Sequence, residues 1–227
     1  MGKDNKNSLK YLGVIFIGVL LTYELPHESY SIIEYIIPPI KNNNSVIYLS
    51  GLIPLILFIV GIKGLFKLER FKNKSKLLIF IAVLVIVIPL MRWTLDFSRT
   101  SYHWIKDDGL KAIDIEDSNI SLNGSDSKIA LRVNIELKDY SKKQNKFRIR
   151  IYLPESLNSY TDKDFYEFKN YYFTHGNRDI TNIEEEIILE LNRKKKRELF
   201  ESEWHREDVE YELYNDDETI KIIQHGL

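Results

Sequence analysis

The chain has 227 residues, with 32 Lys and Arg against 33 Asp and Glu, for a formal net charge of −1 at pH 7; this is room for one membrane unit and one soluble domain, not for a third folded unit. Cysteine is absent, which excludes disulfides, thiolate-bound zinc or iron–sulfur clusters and a cysteine nucleophile. The averaged charge conceals a greasy front half and a charged back half, which follow different rules.

Residues 1–10, "MGKDNKNSLK", are a short basic leader expected in the cytoplasm. Residues 11–25 contain the apolar run "YLGVIFIGVLLTY", the first of three predicted transmembrane helices; no A-x-A arrangement of small residues follows it, so it reads as an uncleaved signal anchor. An outer loop at 26–45 contains "SYSIIEYIIPPI", where Ile32, Ile33, Ile36 and Ile37 share a helical face. Glu34 and the Pro38-Pro39 pair interrupt that stretch, which predicts a short interfacial helix rather than a fourth crossing. Residues 46–62, "VIYLSGLIPLILFIVGI", are seventeen positions without a charge and form the second predicted helix. At ~1.5 Å per residue such a run covers about 25 Å.

Residues 63–76 are a basic loop carrying Lys63, Lys67, Arg70, Lys72, Lys74 and Lys76 against Glu69 alone. Residues 77–95 open on "LLIFIAVLVIVIPLM", the third predicted helix, which the snorkelling side chains of Lys76 and Arg92 extend. Pro54 and Pro89 are expected to kink the second and third helices, and Gly51 and Gly61 to offer small faces for helix contact. No ionisable residue interrupts either long apolar run, which argues against ion or proton transport through them. The excess of Lys and Arg at 63–76 places that loop and the N-terminus in the cytoplasm, and three crossings then leave the rest of the chain outside a multi-pass cell-membrane protein. Trp93, Tyr102 and Trp104 fit an interfacial aromatic belt, and 96–109 reads as a juxtamembrane linker.

From residue 110 to 227 the periodicity changes from continuous to alternating. In "SKIALRVNIELKDY" Ile129, Leu131, Val133, Ile135 and Leu137 alternate with polar residues, and in "KFRIRIYLP" Phe147, Ile149, Ile151 and Leu153 repeat the pattern. The intervening "SKKQN" predicts a hairpin between these two strands. Further strands are expected at 112–116, 119–122, 171–174, 182–191, 209–214 and 219–224, a short helix or ordered loop in "TDKDFYEFKNYYF", and a charged helix or long loop at 193–208. The fold class that results is three transmembrane α-helices followed by a mainly β extracytoplasmic domain, an antiparallel β-sandwich of immunoglobulin-like or related type.

Residues 106–227 carry twenty Lys and Arg against twenty-seven Asp and Glu, which argues against nucleic acid as a partner. The candidate contacts to an anionic surface are Lys67, Arg70, Lys72, Lys74 and Lys76 in the loop and Arg193, Lys194, Lys195, Lys196 and Arg197 in the outer domain. The histidines at 27, 103, 175, 205 and 225 lack metal-site spacing, and "NDDE" at 215–218 reads as a hairpin turn rather than a calcium loop. No G-x-S-x-G elbow, P-loop or dinucleotide fingerprint occurs, so no catalytic residue, metal or cofactor is assigned and an enzyme is not expected. The expected partners are the lipid bilayer and another membrane or envelope protein, with the outer β domain binding a protein, a peptide or an envelope component. Two other readings stay open: a regulatory or envelope-stress sensor acting through a cytoplasmic partner, and a membrane-tethered envelope hydrolase. In layout and composition the chain resembles small membrane proteins of Gram-positive bacteria, a resemblance that carries no motif and transfers no residue.

Overall fold

The computed structural model describes residues 3–42, 45–125, 128–158, 161, 163–189 and 207–225. The chain divides into two compact units, one comprising residues 1–25 and 30–98 and the other 26–29 and 99–227.

The first unit is helical. Helix α1 (Lys3–Leu21) packs against α3 (Leu52–Phe66), and the short α2 (Ile32–Ile36) and a small hairpin of β1 (Ile40–Asn42) and β2 (Ser45–Ile47) lie between them in sequence. A short helix does form in the segment where one was expected, as α2, and Glu34 caps it: its carboxylate accepts from the Ser31 backbone N–H at 2.8 Å and the Ser31 hydroxyl at 2.6 Å. A 3₁₀ turn (Glu69–Phe71) leads into a continuous helical run made of α4 (Lys76–Ala82), one π turn (Val83–Val87) and α5 (Ile88–Lys106). Pro89 lacks the N–H that would bond back to Val85, and the π turn stands immediately before it. Pro54 falls in the first turn of α3, where backbone N–H groups have no intrahelical partner to lose, so it does not interrupt that helix.

Among the described residues one helical run, Lys76–Lys106, is long and apolar enough to cross a bilayer, so three spans are not supported by helix length and composition. The reason differs for the other two segments. Helix α1 spends its first two turns on Lys3, Asp4, Lys6 and Lys10, and α3 is fifteen residues long because Val46 and Ile47, expected to open it, lie in β2 instead. The linker expected at 96–109 is helical as far as Lys106.

The contacts of α1 with α3 rest on glycine, and of the expected pair Gly61 takes part and Gly51 does not. A Cβ at Gly61 would run into Ile15 and one at Gly64 into the Tyr11 ring, whereas a Cβ at Gly51 would meet nothing. Around this approach Ile15, Val19, Ile62, Leu65 and Val83 form the buried core of the unit.

The second unit is mostly β; among the described residues its paired strands are antiparallel, and an isolated parallel bridge joins Glu28 to Ile223. One sheet runs β3 (Ile113–Ser125), β4 (Lys128–Asp139), β8 (Asp179–Leu189). The other runs β10 (Thr219–Gln224), β9 (Val209–Tyr214), β5 (Asn145–Tyr152), β6 (Phe165–Glu167), with β7 (Tyr172–Thr174) also on β5. A single turn of helix, α6 (Glu155–Asn158), follows β5. Leu131, Val133, Ile135 and Leu137 of β4 share one core with Phe147, Ile149 and Ile151 of β5 and Tyr211 and Leu213 of β9. Alternation along β4 and β5 sends their side chains inward, as expected, whereas in β9 Glu212 is buried as well as Tyr211 and Leu213.

The pairing differs from expectation. Strands β4 and β5 are not a hairpin: β4 pairs with β3 and β8, and β5 with β6, β7 and β9, so the intervening segment carries the chain from one sheet to the other. Asp139, fully buried at the end of β4, holds this crossing; it accepts from the Ser141 backbone N–H at 2.8 Å, from Asn145 Nδ2 at 3.0 Å and from the Thr174 hydroxyl. The two strands expected at 112–116 and 119–122 are one, β3, with a bulge between Ile115 and Asp117. The segment read as a short helix or ordered loop supplies β6, with Phe168 buried just after it. Strands β9 and β10 match their expected bounds, and the "NDDE" turn joins them, with Asn215 Oδ1 accepting from the N–H groups of Asp217 at 2.9 Å and Glu218 at 2.7 Å. The segment 26–29 lies along β10, where Ile223 N–H donates to His27 O at 3.0 Å and Ser29 N–H to Ile223 O at 3.2 Å.

Candidate binding face

Strand β5 is central in its sheet, and the alternation that buries Phe147, Ile149 and Ile151 necessarily turns Lys146, Arg148, Arg150 and Tyr152 to the opposite face. Register decides what they meet there. Arg150 lies between Glu212 of β9 and Glu167 of β6, and Arg148 lies opposite Tyr214. Arg150 Nη1 donates to Glu212 at 2.8 Å, the Tyr152 hydroxyl donates to the other oxygen of that carboxylate at 3.1 Å, and Arg148 pairs with Glu167. On the neighbouring strand Lys221 pairs with Glu210.

Aromatic rings fill the spaces between the cations. The Arg150 guanidinium stands 4.0 Å from the Tyr214 ring centre and 5.3 Å from that of Phe165; Arg148 and Lys146 stand 4.4 Å and 4.5 Å from Tyr171; Lys221 stands 5.1 Å from Tyr152. Hydrogen bonding from Tyr214, with Arg148 beside it, holds the Glu167 carboxyl below the usual carboxylate range. Tyr214 and then Glu167 raise Arg148 further above its ordinary value. Arg148 and Glu167 therefore stay charged as a pair through the neutral range. Three rings remain largely open to solvent: Phe165 at 41%, Tyr171 at 52% and Phe173 at 45% exposure. The result is a face of stacked arginines and exposed aromatics, a composition enriched in the cores of protein interfaces and among residues that dominate binding energy.

The residues singled out from sequence lie elsewhere. Lys67 caps the end of α3, Arg70 sits in the 3₁₀ turn, Lys72 and Lys74 follow it, and Lys76 opens α4, so the five are brought together in one short segment of the first unit. Arg193, Lys194, Lys195, Lys196 and Arg197 lie outside the described residues, as does the rest of the helix or loop expected there up to residue 206. Among the described residues no group of His, Asp and Glu is placed to hold a metal ion. The other polar clusters of the second unit have structural partners: Arg99 pairs with Asp114 at 2.6 Å, His103 with Asp108 at 3.0 Å, and the buried Glu185 accepts from the Tyr172 hydroxyl at 2.9 Å. Burial, with Glu185 adding to it, pushes the Tyr172 phenol well above its ordinary value.

One signal for the binding face was present in the sequence: the outward set of "KFRIRIY" is basic and aromatic. Its partners on β6, β7 and β9 come from segments up to about seventy residues away, and only pairing collects them. No protein-family model matches the chain, and no curated protein sequence matches it.

Proposed function

We propose that the chain is a multi-pass membrane protein whose β domain, displayed on the outer side, binds a partner protein or peptide through the arginine–aromatic face of β5, β6, β7 and β9. The observation that carries this reading is the set of exposed rings, Phe165, Tyr171 and Phe173, set beside Arg148, Arg150 and Lys146 on one face of the sheet. Aromatic anchors whose positions are already set lose little conformational freedom on binding.

The membrane reading rests on what covers the first unit. Leu55, Ile56 and Val60 of α3 and Leu77, Leu78, Val85, Ile86 and Leu90 along α4, the π turn and α5 are exposed large hydrophobics, a surface that water disfavours and lipid covers. Asp96 accepts from the Tyr23 hydroxyl at 2.9 Å, a polar contact between the end of the α1 segment and α5. From Lys76 to Asp96 the helical run rises about 30 Å, the thickness of a hydrocarbon core. The shorter α1 and α3 complete the anchor with snorkelling lysines and local thinning of the bilayer, and the cationic loop between α3 and α4 sets the N-terminus inside.

The test is cross-linking in native membranes followed by capture of the full-length protein and mass spectrometry. Wild type is compared with Phe165→Ala/Tyr171→Ala/Phe173→Ala and with Ile188→Ala, an exposed residue on the other sheet. The triple variant is expected to lose a cross-linked protein that wild type and Ile188→Ala both retain. Equal recovery from all three, or no protein cross-linked to wild type, overturns the assignment of this face.

A further inference from the structure

A cavity of about 400 Å³ opens in the first unit between α1, the basic turn and α4. Its wall is apolar and continuous: Leu12 of α1 on one side, and Ile79, Val83 and Val87 on the other, on successive turns of one helical run. From Leu78 to Val87 the wall rises about 13 Å. Two cations, Arg70 and Lys74, line it as well. The Arg70 guanidinium lies 4.5 Å from the Phe71 ring centre, and only its backbone N–H reaches the Asp4 carboxylate, at 3.3 Å.

We infer that this cavity is a binding site for one anionic phospholipid, its phosphate held by Arg70 and Lys74 and an acyl chain lying along Leu12, Ile79, Val83 and Val87. The charge complementarity selects an anionic headgroup; the length and apolarity of the wall select a hydrocarbon chain rather than a soluble anion. A lysine-rich cytoplasmic segment attracts anionic lipid in any case, and the cavity adds a place for a particular molecule beside two of those cations. The inference rests on the membrane reading of the first unit.

The experiment reconstitutes full-length protein into nanodiscs of equal phosphatidylglycerol and phosphatidylcholine and reads the lipids retained on the protein by native mass spectrometry. Four proteins are compared: wild type, Arg70→Gln/Lys74→Gln, Lys67→Gln/Lys72→Gln, and Ala82→Trp, which fills the groove without altering charge. Both double variants remove two positive charges from the same loop, but Lys67 and Lys72 do not line the cavity. Retained phosphatidylglycerol is expected to fall about tenfold in Arg70→Gln/Lys74→Gln and in Ala82→Trp. It is expected to change less than about twofold in Lys67→Gln/Lys72→Gln. Equal losses in the two double variants, full retention in Ala82→Trp, or no preference for phosphatidylglycerol in wild type overturns the site and leaves the membrane anchor standing. Recovery of the protein in the soluble fraction overturns both.

Discussion

Asp139 is a carboxylate with no exposed surface, and it is held by neutral donors from the loop after β4 and from β7 rather than by a cation. Removing it leaves three donors unsatisfied in the interior, so Asp139→Ala is expected to cost about 3 kcal/mol, read as a lower unfolding midpoint, with Asp139→Asn costing less. Close by, Gly176 has φ +70°, and a Cβ there would stand 2.6 Å from the Ser141 carbonyl oxygen, which is why this turn needs glycine. His27 supplies a pH dependence. Burial lowers its imidazole below the ordinary value, Asp114 partly restores it and Arg99 lowers it again. An unfolded imidazole titrates near ~6.5, so below that pH the unfolded chain takes up a proton that the folded chain resists, and stability falls as pH falls from about 6.5 toward the folded value. Melting curves of the full-length protein at pH 7.5 and 5.5 should show this loss in wild type and a smaller one in His27→Asn, since asparagine tolerates the φ of 63° at that position. An identical pH response in both would show that His27 does not contribute.

At the scale of elements, the approach of α1 to α3 depends on hydrogen atoms at two positions. Gly64→Leu would drive a side chain into the Tyr11 ring and is expected to destabilise the helical unit by about 1–3 kcal/mol, measured as thermal aggregation in detergent. Gly51→Leu, whose Cβ meets nothing, is expected to leave the midpoint unchanged; a comparable loss there would mean that glycine acts through backbone freedom instead. In the β unit the corresponding element is β5, which contributes to the core with one set of residues and to the arginine–aromatic face with the alternate set. Any slip of its register by one residue would exchange the two.

At the scale of the molecule, the proposed anchor and topology make a joint prediction. The full-length protein should remain in the membrane pellet after an alkaline wash. Protease added outside intact spheroplasts should cleave within residues 106–227 while leaving the loop at 63–76 uncut. Cleavage confined to that loop would invert the orientation, and release by alkali would remove the anchor.

The sequence by itself determined the change of regime near residue 110, the inward positions of β4 and β5, the bounds of β9 and β10, and the basic turn between α3 and α4. Each of these is written locally, in the periodicity of hydrophobic residues or in a run of charge. It did not determine which strands pair: alternation in "SKIALRVNIELKDY" and "KFRIRIYLP" specifies two faces but no neighbour, and the buried Asp139 network sends the chain across to the second sheet instead of back along the first. Nor did it mark where α3 begins, because an uncharged run serves a strand, a turn or a helix equally well until packing selects among them. Of the arginine–aromatic face, only the basic strand at its centre is written locally; the rest is assembled by the tertiary structure. Phe165, Tyr171, Glu212 and Tyr214 are scattered along the chain, and only the antiparallel register around β5 sets their side chains beside Arg148 and Arg150.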